Sequence, residues 1–170
     1  MRAFARKLLE LPRGAAWLLC LAWFGLIWWM SSHPGSQEPA EWWVPVLTNG
    51  AHAPVYGLFA CWLALVVPRR EGWPVLTGAM RAGLLVAIVV LGVIDELHQS
   101  SVPGRDLSVL DVVTDLVGAA VALEIVAFLG REPQRPGGLA RRLAVAVLAT
   151  LACGALATWI PVCFPGIGWF

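Results

Sequence analysis

Nine side chains in this sequence are of types that do or support acid, base or phosphate chemistry, and six of them recur at helical spacing. His52 and Tyr56, Asp95 and Gln99, and Asp111 and Asp115 are three pairs four residues apart, which places each pair on one face of a helix. Glu96 and His98 lie beside the second pair, and Arg105 follows in a stretch containing Pro103 and Gly104, a sequence suited to a tight turn that aims the arginine back over neighbouring helix ends. Histidine is the side chain whose ordinary pKa lies nearest neutrality, so His98 or His52 can serve as general base or acid. Asp95, Asp111 or Asp115 can orient that imidazole, and Tyr56, Gln99 and Glu96 can bind substrate. The planar fork of Arg105 matches two phosphate oxygens.

These residues must be positioned by elements that are otherwise apolar. The chain has 170 residues, 59% hydrophobic and only 14% charged, with a mean hydropathy of +0.74. A soluble domain carries about 45–50% apolar residues and about 25% charged ones, so the composition argues for a membrane protein. No basic patch stands apart from the membrane flanks, which excludes nucleic acid as a partner. The four cysteines lack CxxC spacing and read as free thiols, without redox or zinc character.

Five apolar stretches approach the ~20 residues of a spanning helix: 14–30, 51–67, 75–94, Val109–Leu129 and 143–160. The expected fold is thus all-α, a single polytopic membrane domain over residues 1–170. All but one of the 12 Lys and Arg residues fall in the N-terminal segment, around the second connection or in the fourth. The positive-inside rule then puts the N-terminus in the cytoplasm and the C-terminus outside. Residues 2–11 alternate basic and apolar positions and suit an amphipathic segment on the inner surface. Most of the ten tryptophans read as an interfacial belt. Small residues between Ala144 and Ala157 let the last helix pack closely at the periphery, and Arg81 and Glu124 match in depth well enough to pair.

In that arrangement the start of the second stretch, the end of the third and the start of the fourth share one depth at the outer face. The polar residues of three segments therefore meet. Ionisable groups in a span cost ~2.5–3.5 kcal/mol on insertion scales, so the cluster favours function over ordinary capping. Asp106, Ser108 and Asp111 also suit the capping of a helix N-terminus. Five carboxylates, Asp95, Glu96, Asp106, Asp111 and Asp115, face one arginine. That excess calls either for protonated carboxylates or for a divalent cation such as Mg²⁺ or Ca²⁺ held among Asp95, Glu96, Asp111 and Asp115.

The run SSHPGS at 31–36, the HxxxY of His52 and Tyr56, and DELHQSSVPGRDLSVLDVVTDLVG at 95–118 together resemble the VanZ-like family of small bacterial membrane proteins. The resemblance covers residues 12–130 as a four-helix core and leaves 143–160 as an additional helix. Two positions depart from the family pattern: Thr48 and Asn49 stand where an Asp-Lys pair is usual, and Asp115 stands where Asn is usual. The resemblance implies a multi-pass protein of the bacterial plasma membrane, associated with glycopeptide susceptibility and grouped with enzymes that exchange or hydrolyse head groups of phosphate-linked lipids. A phospholipid or a lipid-linked cell-wall precursor would be its partner. A non-catalytic envelope protein that binds a lipid or another partner is the alternative.

Overall fold

The computed structural model describes residues 10–35, 40–70, 72–130 and 136–163. Five helices account for nearly all of them. Most of the amphipathic segment at 2–11, the basic residues at 2, 6, 7, 131 and 135, and the final serine of the SSHPGS run lie outside the described residues.

Helix α1, Arg13–Ser31, starts directly after Pro12, whose extended backbone serves as the N-cap. Helix α2 is Trp43–Ala64. A short antiparallel hairpin follows, β1 Arg69–Arg70 against β2 Trp73–Pro74, turned by Gly72 at φ +84°. Helix α3, Gly78–Gln99, is capped by the Thr77 side chain accepting from the Met80 amide, and α4, Val109–Leu129, by Ser108 accepting from the Asp111 amide. In each case the hydroxyl satisfies an amide that has no partner within the helix. Helix α5, Gly138–Cys163, begins after Gly137 at φ +70°.

Helices α1, α3, α4 and α5 are each long and apolar enough to cross a membrane. Their outward faces carry large hydrophobics such as Leu18 at 68% and Leu148 at 67% exposure, a pattern that water would penalise and lipid would not. The chain is a helical membrane protein. Helix α2 is the exception in composition, because Thr48, Asn49, His52, Pro54 and Tyr56 interrupt it. It packs against all four other helices and buries eight of its 22 residues, so much of its surface faces protein and not lipid.

Two expectations about connections are corrected. The second helix begins at Trp43 rather than 51, since Pro45 falls in its first turn, where the missing N–H has no partner to lose. That moves Pro54 into the helix interior. The second connection, to which the apolar stretches 51–67 and 75–94 assign no element, contains the β1–β2 hairpin.

The core joins Cys20 and Ile27 of α1, Tyr56, Phe59, Ala60 and Leu63 of α2, Ile88 of α3, and Ala119 and Leu123 of α4. Between α2 and α4 the backbones themselves touch: a Cβ on Gly118 would run into the backbone of Ala53, and one on Gly57 would lie 3.1 Å from the Gly118 carbonyl oxygen. Gly154 of α5 meets Val46 and Gly50 of α2 in the same way. Only Gly154 and Ala157 of α5 are buried, so this helix is peripheral as its composition suggests. At the opposite end from the polar cluster, Glu124 receives Arg81 at 3.0 Å and Arg142 at 3.1 Å, tying α3, α4 and α5. The expected Arg81–Glu124 pair is present.

Candidate functional site

The C-terminal ends of α1 and α3, the first half of α2 and the start of α4 meet at one end of the bundle. The i,i+4 spacing read in α4 has a direct consequence there. Asp115 Oδ1 lies 3.1 Å from His52 Nδ1, and Asp111 Oδ2 lies 4.0 Å from His52 Nε2. One imidazole is thus bracketed by two carboxylates from successive turns. Room for Asp115 comes from α3, where a Cβ on Gly92 would lie 2.8 Å from Asp115 Oδ2.

A second group is built on the last turn of α3. Gln99 Nε2 donates to Asp95 Oδ2 at 3.0 Å and to Glu96 Oε1 at 3.2 Å. Ser31 Oγ donates to the same Asp95 oxygen at 2.9 Å, and the Ser108 amide donates to Glu96 Oε2 at 2.8 Å. Glu96 therefore fastens the entry of α4 to the exit of α3. Asp95, Glu96, Gln99 and Asp115 are all buried.

The turn through Pro103 and Gly104 has Gly104 at φ +74°, a conformation open chiefly to glycine. The Gly35 amide donates to the Pro103 carbonyl at 3.1 Å, so the α1–α2 connection braces the α3–α4 turn. Arg105 points back as expected: Nη1 donates to Gln99 Oε1 at 3.2 Å and Nε to the His33 carbonyl at 3.1 Å. His33 is exposed, as expected of a loop residue, with Nδ1 2.8 Å from the Trp29 carbonyl oxygen.

A cavity of about 260 Å³ opens among these groups, lined by Ser31, Thr48, His52, Tyr56, Asp95, Gln99 and Arg105. Ile27 and Met30 of α1 with Ala51 and Val55 of α2 form its apolar side. Glu96, Asp111 and Asp115 stand around His52 without lining it. His98 is directed elsewhere, with its ring stacked on Trp28 at 3.9 Å between centroids and Nε2 2.9 Å from Ser32 Oγ. Trp28, which suited the aromatic belt, therefore also supports His98. Asp106 is exposed.

Ser31 is the residue that reasoning from types and spacing missed. It lies in the SSHPGS run, and a serine at a helix end has no signal of its own beyond that run. Thr48 Oγ1 donates to the carbonyls of Val44 and Pro45, and Asn49 Nδ2 donates to Thr158 Oγ1 of α5 at 3.1 Å.

The acids divide differently from the expected metal set. His52, Glu96 and Asp111 each offer a ligand atom, all within 4.8 Å of one another, while Asp95 belongs to the Gln99 and Arg105 group. Asp115 occupies the other imidazole nitrogen, the position from which a carboxylate orients a metal-binding histidine. A donor set that includes an imidazole nitrogen suits Zn²⁺ or Mn²⁺ better than Mg²⁺ or Ca²⁺, which take oxygen ligands.

The fold and site define a small helical membrane protein with a cavity at one end of its bundle that His52, Asp95 and Arg105 line. The chain matches the VanZ/LLP1 family model over residues 16–130 and belongs to that family. No curated protein and no solved structure matches it.

Proposed function

We propose that the protein acts on the head group of a phosphate-linked lipid at the outer face of the bacterial plasma membrane, by head-group transfer or hydrolysis, and thereby alters glycopeptide susceptibility. The observation that carries this reading is the His52–Asp115 pair at 3.1 Å beside a cavity that Arg105 also lines. In the tautomer whose Nδ1–H donates to Asp115, Nε2 is free to accept a proton from water or an acceptor hydroxyl. Arg105 would hold the phosphate while the charge on its oxygens develops. His52 is favoured over His98 as the base because His98 is engaged by Trp28 and Ser32.

In this reading all five helices span, with α2 shielded by the others, and the N-terminus is cytoplasmic. A lone cysteine installed as Arg105→Cys is expected to react with an impermeant maleimide added outside intact cells or spheroplasts. Labelling only after the cytoplasmic side is opened would overturn the orientation.

Lipid extracts of a deletion strain test the function itself. One head-group class is expected to accumulate or vanish, wild-type protein to restore it, and Arg105→Ala to fail at equal expression. Unchanged lipids across all four strains would defeat the catalytic reading and leave a binding protein.

A further inference from the structure

Two residues that line the cavity each carry a buried atom with no hydrogen-bond partner, Asp95 Oδ1 and Tyr56 Oη, and the residues are only 2% and 1% exposed. An unpaired polar atom so deeply buried is costly unless a ligand supplies its partner. The asymmetry within Asp95 is pronounced: Oδ2 accepts from both Ser31 and Gln99, whereas Oδ1 accepts from nothing. An ionised carboxylate only accepts hydrogen bonds. For the ionised carboxylate the missing partner is a donor.

Gln99 decides what kind of donor. Its Nε2 holds Asp95 and its Oε1 holds Arg105, so a single carboxamide separates the carboxylate from the guanidinium. The cavity thus offers one negative and one positive group a short, fixed distance apart. Around them, Asp95, Glu96, Asp111 and Asp115 outnumber Arg105 and His52, which favours a donor that brings positive charge.

We propose that this cavity binds the zwitterionic head group of an amine-bearing phospholipid, with its phosphate at Arg105 and its primary ammonium between Asp95 Oδ1 and Tyr56 Oη. The proposal rests on the lipid-phosphate reading above and names its substrate class. A two-carbon link between phosphate and amine is of the same order as the one-carboxamide separation of the protein groups. Both atoms left open accept from N–H, and the charge-assisted bond to Asp95 is the stronger kind. A quaternary trimethylammonium has no N–H to give and is bulkier. A glycerol head group can donate but brings no charge. The apolar side of the cavity, between α1 and α2, gives the first carbons of the acyl chains a wall of Ile27, Met30 and Val55.

The test uses the full chain in phosphatidylcholine nanodiscs containing an equal fraction of phosphatidylethanolamine, phosphatidylglycerol or diacylglycerol, with retained lipid read by native mass spectrometry. Phosphatidylethanolamine is expected to be retained over phosphatidylcholine by roughly tenfold, about what one charge-assisted hydrogen bond supplies. Asp95→Asn is expected to bring that ratio close to one, and Tyr56→Phe to lower it part of the way. Tyr56→Phe keeps the ring in the core and serves if the aspartate variant does not fold. Equal retention of phosphatidylethanolamine and phosphatidylcholine, preference for phosphatidylglycerol, or unchanged selectivity in a folded variant would overturn the amine assignment. If the three phosphate lipids still exceed diacylglycerol, the lipid-phosphate reading survives; if none does, both fall.

Discussion

If the protein catalyses the proposed lipid reaction, replacing His52 with alanine is expected to lower head-group turnover by at least ~100-fold, the usual worth of a positioned general base, while changing lipid retention only a few fold. The imidazole has no substitute in its place, because its neighbours Asp111 and Asp115 lie 4.0 Å and 3.1 Å from its nitrogens and hold it rather than duplicate it. His98→Ala makes the contrast. Its ring lies against Trp28, so its loss is expected to cost turnover less than about fivefold, below the ~100-fold mark of a catalytic base. Turnover per folded molecule in nanodiscs, measured for both variants, checks the assignment. Equal losses, or a larger loss at His98, would return the base role to His98.

Asp115→Asn sharpens the same argument. The carboxamide preserves the size of the side chain but presents an N–H or a neutral oxygen to His52 Nδ1, so the preferred tautomer is no longer enforced. In this chain Asp115 is 1% exposed and its hydrogen-bond partner is the His52 imidazole.

What the sequence made legible follows from what each signal measures. Helices α1, α3 and α4 were readable because long apolar runs end at residues with definite local preferences, Pro12, Thr77, Ser108 and Gly130. The start of α2 was not, because Trp43 to Gly50 mixes proline, threonine, asparagine and glycine, each of which reads locally as a turn. Contact with α5, through Val46 and Gly50 against Gly154 and Asn49 against Thr158, holds this stretch helical against that preference. Among the site residues, i,i+4 spacing correctly grouped Asp95 with Gln99 and Asp111 with Asp115, since those pairs depend only on one helix. It was silent on Ser31 and on the direction of His98, which depend on how α1 is set against α3. No spacing within a single helix records that.

Gly118→Ala is expected to destabilise the fold severely for a one-methyl change. The added Cβ would meet the Ala53 backbone, which cannot rotate away as a side chain tip can, so α2 and α4 must separate. Overpacking of this kind costs about 1–3 kcal/mol, and a backbone obstacle belongs at the upper end. For a chain of this length that is a fall of roughly 6–12 °C in the detergent-solubilised Tm. Gly83→Ala is the matched control: a Cβ there meets nothing within 4 Å, and relief of glycine's backbone entropy in a helix stabilises by roughly 0.5–1 kcal/mol. The damage should also reach the site. Ala53 is the neighbour of His52, and Gly118 lies three residues beyond Asp115 on nearly the same face of α4, so spreading the two backbones lengthens the His52–Asp115 contact. Size-exclusion melting curves for both variants, with lipid turnover measured well below either Tm, separate the two effects. Turnover in folded Gly118→Ala is expected to fall while Gly83→Ala keeps wild-type activity. A Gly118→Ala protein that melts with wild type would mean that α2 and α4 do not approach this closely.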